Sequence, residues 1–283
     1  VLSLGVLCVK GAGSSDAWQY LLWRAIGFGI VLTVVALYRH RINPLVQLRR
    51  LGAFAWVSVV AMVASQACFI AAIKLGNTAE VFFLMSLAPL MAAVLARPIL
   101  GERIGSLSVL AIVVALGGVA LMSGLSLETD GLHSGLWEGE WLARSLALAT
   151  ALAFAVYSLA TRGARPEDLD AALVAVGILT ALLSLGFLFW LDLPLVPAIG
   201  DVALGLLHGG VILAIGLVLF ARGSRLVPGV TLVMLAQSET VAAPFWTYLV
   251  YNETTTLAVL AGGALILIAV VLQASDGTSR TAR

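Results

Sequence analysis

Charge is scarce in this chain. Charged residues make up 11% of its 283 positions against 61% hydrophobic, and the mean hydropathy is +1.07. So apolar a surface does not stay dissolved, which excludes a soluble protein and leaves a polytopic membrane protein. Cysteine is nearly absent. Cys8 and Cys68 both fall inside apolar runs, which excludes a disulfide framework and leaves no metal-ligand spacing, so neither a metal nor a cofactor is expected. The net charge of +1 gives no basic excess, and no nucleic-acid partner is expected. Lysine occurs twice against 14 arginines, which points to a GC-rich bacterial genome. There is no phosphate-cradling P-loop, so no ATP-driven pump is encoded here. HExxH and GxSxG are missing, which weighs against a zincin or serine hydrolase, and the loops are too short for a soluble catalytic domain.

What is present is a set of long apolar segments. Nine approach the roughly 20 residues that cross a ~30 Å hydrocarbon layer. They read as Ala17–Tyr38, Leu51–Ile73, Ala79–Leu100, Gly105–Gly124, Trp141–Thr161, Asp170–Leu191, Val202–Ala221, Val230–Tyr251 and Thr256–Ala274. Val1–Val9 is apolar but too short to span.

One membrane unit is written twice. Lys74–Met122 and Arg225–Gln273 run in parallel at an offset of 151 without a gap. Each opens on a basic residue and a leucine, carries a proline inside an apolar span (Pro89, Pro244) and reaches a polar turn with a matched glutamate (Glu102, Glu253). At an offset of 152, Cys8 to Ala12 pairs with Ala160 to Ala164 and Asp16 with Asp168, so Val1 corresponds to the middle of a complete span. The expected whole is therefore an all-α bundle of ten helices in two inverted five-helix repeats, with the first helix truncated in this chain. The expected division is 1–124 for the first repeat, 125–140 for an external loop, 141–274 for the second repeat and 275–283 for a cytoplasmic tail.

Basic residues set an orientation. Arg39 to Arg50, Arg97 and Arg103, Arg162 and Arg165, Arg222 and Arg225, and Arg280 and Arg283 fall on alternate connections. The others hold only Lys10, Lys74 and Arg144, along with the acidic stretch Glu128–Glu140. The positive-inside rule puts both termini in the cytoplasm and the acidic loop outside, in a bacterial inner membrane. Trp18, Tyr20, Trp23, Trp137, Trp141, Trp190, Tyr248 and Tyr251 cluster near outer boundaries, as interface anchors do, with Trp23 the least typical.

These pieces resemble the drug/metabolite transporter superfamily, EamA type. The resemblance rests on Leu22-Trp23-Arg24-Ala25, on Ala88-Pro89-Leu90 with Leu100-Gly101-Glu102-Arg103, and on Gln237-Ser238-Glu239 with Asn252-Glu253, in that order and duplicated. Two details depart from the pattern: Thr240 stands where proline usually follows the mid-helix glutamate, and Asn252 stands where glycine is usual. The resemblance implies ten helices, a central cavity and export of a small metabolite or amino acid.

Two charges lie well inside predicted spans, away from their ends, where such a residue costs about 2.5–3.5 kcal/mol at a helix centre. Glu239 reads either as a cavity carboxylate that binds a substrate amine or carries a coupling proton, or as a structural carboxylate. Its repeat counterpart is the apolar Ala88, so the fold itself does not require the charge. Arg24 either attracts a substrate carboxylate or snorkels to head groups and carbonyls. Gln66, Tyr157, His208 and Gln237 either line a cavity between the halves or make interhelical hydrogen bonds. Pro89 and Pro244 read as helix bends, through the missing backbone donor. Gly205 and Gly209 form a small-xxx-small packing face.

Three function classes remain open from the sequence. They are a secondary transporter acting by alternating access in the lipid bilayer, a non-transporting membrane adaptor, and an intramembrane enzyme on a lipid-linked substrate. The transporter is the leading one, with a small molecule and a coupling proton as partners. Sequence does not read the oligomeric state.

Overall fold

The computed structural model describes residues 1–40, 48–100, 106–124, 139–223 and 229–281, and every regular element among them is helical. Glu102, Arg103, Trp137 and most of the 125–140 loop lie outside these residues. The helices are α1 (Gly5–Gly11), α2 (Ala17–His40), α3 (Ala53–Leu75), α4 (Thr78–Met85), α5 (Ala88–Leu100) and α6 (Ser106–Gly124). They continue with α7 (Gly139–Gly163), α8 (Leu169–Trp190), α9 (Ile199–Leu206), α10 (Ala214–Gly223), α11 (Gly229–Tyr251) and α12 (Leu257–Thr281). A π-helical segment, Leu207–Leu213, joins α9 to α10. Seven helical stretches among the described residues are long and apolar enough to cross a membrane, while Leu107–Met122 is shorter. Large apolar side chains such as Val113, Leu116, Leu182 and Phe189 stand exposed around the bundle, as a lipid-facing surface requires.

The predicted spans agree with these helices to within a few residues, because hydropathy over a fixed thickness leaves little freedom; the exception is α12, which runs on to Thr281, past the predicted end at Ala274. Two spans are not single α-helices. The one carrying Pro89 breaks at Ser86–Leu87, and Pro89 sits in the first turn of α5. There its missing N–H would have had no intrahelical acceptor, so Pro89 restarts a helix rather than bending one. Pro244, its partner in the expected repeat, lies inside the continuous α11. The span with Gly209-Gly210 loosens into the π-helical segment.

Packing depends on small residues where helices press closest. Ala143, Ala147, Ala151 and Ala155 form a buried i, i+4 stripe along α7, and Ser65 Oγ of α3 donates to the α7 carbonyl of Thr150 at 3.2 Å. Gly29 of α2 faces Gly177 of α8, and Gly118 of α6 faces Gly262 of α12. Helix α2 also packs along the π segment, where a Cβ on Gly209 would run into the Arg24 carbonyl oxygen. α1 packs against α9 and α11.

Helix ends explain one departure in the sequence. Asn252 has φ 52°, the left-handed conformation. It donates to the Tyr248 carbonyl at 3.0 Å, while Glu253 donates to that of Thr247 at 3.4 Å. An αL-type helix end of this kind favours glycine but admits asparagine.

Candidate functional site

The site begins on α2. Every third or fourth residue from Tyr20 points to the bundle interior, so Tyr20, Arg24 and Phe28 share one buried face. Tyr20 is 1% exposed and Arg24 is 4% exposed. Opposite them stand Gln66 on α3 and His208 at the start of the π segment, each 5% exposed. Arg24 donates from Nη1 to Gln66 Oε1 at 2.8 Å. The Tyr20 hydroxyl and His208 Nδ1 are 2.8 Å apart. Gly205 and Gly209 bring the α9 and π-segment backbone against Trp23 and Arg24, and Gly5 of α1 closes over His208 Nε2.

Three of the six binding candidates, Arg24, Gln66 and His208, are thus gathered where α2, α3 and the π segment meet. Arg24 does not snorkel to a surface. Its Nε, and Nε2 of Gln66, are buried without a hydrogen-bond partner. The other three candidates lie elsewhere. Tyr157 on α7 packs with Phe154 at 5.6 Å between ring centroids. Gln237 Oε1 accepts from Thr240 Oγ1 at 3.2 Å. Glu239 is half-buried on α11 and has no hydrogen-bond or ion-pair partner among the described residues. Tyr20 belongs to the cluster although its sequence position reads as an interface anchor. The signal that places it is its four-residue spacing from Arg24 on one helix face. Trp18 and Trp23 do sit toward one end of α2, but they clasp the end of α8 and the loop after it: Trp18 stacks on Phe187 at 3.9 Å and Trp23 Nε1 donates to the Leu195 carbonyl at 3.1 Å.

A second polar region closes the same end of the bundle. Glu253 accepts from the Thr78 amide at 2.8 Å, from the Thr78 hydroxyl at 2.7 Å and from Lys10 at 3.2 Å. A carboxylate at the N-terminus of α4 is favoured by the free amides there. Burial pushes the Glu253 carboxyl up, but the Thr78 amide and hydroxyl and the Lys10 ammonium outweigh it and hold the group below its usual 4.5. Asn77 Nδ2 donates to the Thr254 carbonyl at 3.1 Å, and Lys74 donates to the Ala12 and Ser15 carbonyls. Arg144 forms a bidentate pair with Glu80 at 3.0 and 3.1 Å. A cavity of about 480 Å³ lies beside this seam, lined by Lys10, Ser15, Asp16, Trp18 and Lys74 among others. A smaller one of about 160 Å³ lies beside Trp141 and Arg144.

Residues 3–124 match the model of the EamA-like transporter family. That family is part of the drug/metabolite transporter superfamily, and its members are membrane transporters; the likeness covers the matched stretch. Tyr20, Arg24 and Gln66 fall inside it, and His208 falls outside it. A protein of known crystal structure is similar over 96% of this chain and 91% of its own length, with a TM-score of 0.64 at 20% identity, a likeness of fold. The comparison with curated proteins gives no match.

Proposed function

We propose that this EamA-like protein is a secondary transporter that exports a small metabolite or an amino acid by alternating access. The observation that carries the reading is the Tyr20–His208 and Arg24–Gln66 cluster. Ionisable side chains inside a membrane bundle are costly, and functional pathways are where they collect. Three of them, with the Gln66 amide, meet here at the junction of three spans. Metabolite profiling of the medium from overexpressing cells tests the proposal: one compound should be enriched outside, and an unchanged medium would count against export.

The helix contacts support a two-fold architecture of inverted five-helix units, 1–124 and 141–274. Exchanging each span for the one five places along maps α2–α8 and α6–α12 onto themselves, α3–α7 onto α1–α9, and the α2 contact with the π segment onto α3–α8. On this reading the Glu253 end faces outside, both termini and the 275–283 tail are cytoplasmic, and the 125–140 loop is external in a bacterial inner membrane. Lys10, Lys74 and Arg144, the basic residues that depart from the positive-inside pattern, all have carboxylate or carbonyl partners at that end. Gln237, Glu239 and Tyr157 line the inner half of the pathway, with Glu239 carrying a coupling proton, and Pro244 bends α11 during the cycle.

A non-transporting adaptor is the second reading. It is favoured by one observation: the larger of the two cavities described above, at the Glu253 end, is lined by residues of the first half alone. The same profiling separates the two.

A further inference from the structure

Arg24 is the most demanding group in the bundle. A guanidinium offers five N–H donors and no acceptor, and its charge does not leave it in a protein. Gln66 Oε1 takes one of those donors. Arg24 Nε has no partner, and Gln66 Nε2, on the same amide, has none either. The neighbours do not supply an anion. Tyr20 and His208 are engaged with each other, and Gly205 and Gly209 present backbone only. No ion pair joins Arg24 to a carboxylate among the described residues. Asp201 on α9 has a buried unpartnered Oδ2 of its own. A buried cation beside idle N–H donors from a second side chain lacks one component, an acceptor of negative charge.

We propose that Arg24 and Gln66 form a carboxylate-binding subsite, in which the ligand's oxygens accept from Arg24 Nε and Gln66 Nε2. A planar carboxylate matches the guanidinium fork, and the amide adds a donor from a second helix. The Gln66 oxygen fixes the guanidinium plane before the ligand arrives, so little side-chain freedom is lost on binding. The Tyr20–His208 pair, next along α2, borders the subsite on the side of Asp201. As the identification of a substrate class this rests on the transporter reading; as a binding site it does not.

The test is thermal unfolding of the purified full chain in detergent, followed by tryptophan fluorescence. The probes are sodium acetate, butyrate and benzoate, each against its neutral amide with sodium chloride added to equal ionic strength. A carboxylate that binds the folded state raises the midpoint by a few degrees, increasing with the logarithm of concentration, and its amide does not. Gln66→Glu places a carboxylate beside Arg24 within the chain. It should fold with an unchanged or higher midpoint and lose the response to added carboxylate. Arg24→Gln should lose it too, and the response of Gln66→Glu decides the matter if Arg24→Gln does not fold. No carboxylate-over-amide difference in any of the three pairs would overturn the proposal, as would an undiminished response in Gln66→Glu. Binding without export in the profiling experiment would sink the transporter reading and leave the subsite standing.

Discussion

Lys10 and Glu253 meet at 3.2 Å, 243 positions apart in the chain. One ends α1 and the other follows α11, so the pair ties the first unit to the second. The same carboxylate caps α4 through Thr78, which makes Glu253 the hub of the seam. Any motion that separates the units at this end has to break it.

Acid should weaken this seam. The Glu253 carboxyl sits below its usual 4.5 in the folded chain, so the stability it contributes is full above 4.5 and is lost as pH falls through the folded value. Glu253→Gln removes the ionisable group. The wild type should melt higher than the variant at pH 6–7, and the two midpoints should converge as the pH is lowered below about 4.5. Parallel curves down to pH 3 would mean that Glu253 is not held ionised by its partners.

The close approach of α2 to the π segment should not tolerate a side chain. In Gly209→Ala the new methyl meets the Arg24 carbonyl oxygen, which is backbone and cannot swing aside. Overpacking of this kind costs about 1–3 kcal/mol. The variant should lose several degrees of midpoint in detergent. Gly186→Ala is the control, because a Cβ at Gly186 meets nothing within 4 Å.

Much of this was legible in the sequence, for identifiable reasons. The span limits followed from hydropathy because the hydrocarbon layer dictates both length and composition. Pro89 marked the right span as irregular, but its effect was misread, since only the register of the break decides whether a proline loses a hydrogen bond. The π segment had no readable signal beyond Gly209-Gly210: an i→i+5 pattern shows in spacing only once the facing helix is known. Tyr20 was hidden by its company, because Trp18 and Trp23 flank it at a helix end and tryptophan at that depth reads as an anchor. Its four-residue step to Arg24 was visible, but what it faced on a helix 188 positions later was not. The pairing of Arg24 with Gln66 was likewise out of reach, as no spacing rule links residues on two antiparallel spans.

Orientation is open to direct labelling. With Cys8 and Cys68 replaced by alanine, a single cysteine at Glu140, whose side chain is 74% exposed, should react with an impermeant maleimide on intact cells or spheroplasts. A cysteine at the exposed Glu167, between α7 and α8, should react only after lysis. The reverse pattern would invert the bundle and the direction assigned to the Glu253 end.

Glu239 carries the boldest expectation. It sits mid-helix on α11, half-buried, with no hydrogen-bond or ion-pair partner among the described residues, and its counterpart in the first unit is Ala88. On the two-fold reading, the fold does without a carboxylate at this place in one of its two copies. A carboxyl in a membrane interior is retained for a reason, and proton relays are a recurrent one. Glu239→Gln keeps the shape and most of the polarity while removing the ionisable proton. If Glu239 couples a proton to transport, the variant should accumulate and melt like the wild type. Export should lose its dependence on the pH gradient, and flux should fall at least tenfold when the gradient is the only driving force. Normal gradient-driven flux in Glu239→Gln would remove the proton from this residue. A variant that fails to accumulate, with Glu239→Asp restoring accumulation but not flux, would separate a packing role for the carboxyl from a coupling role.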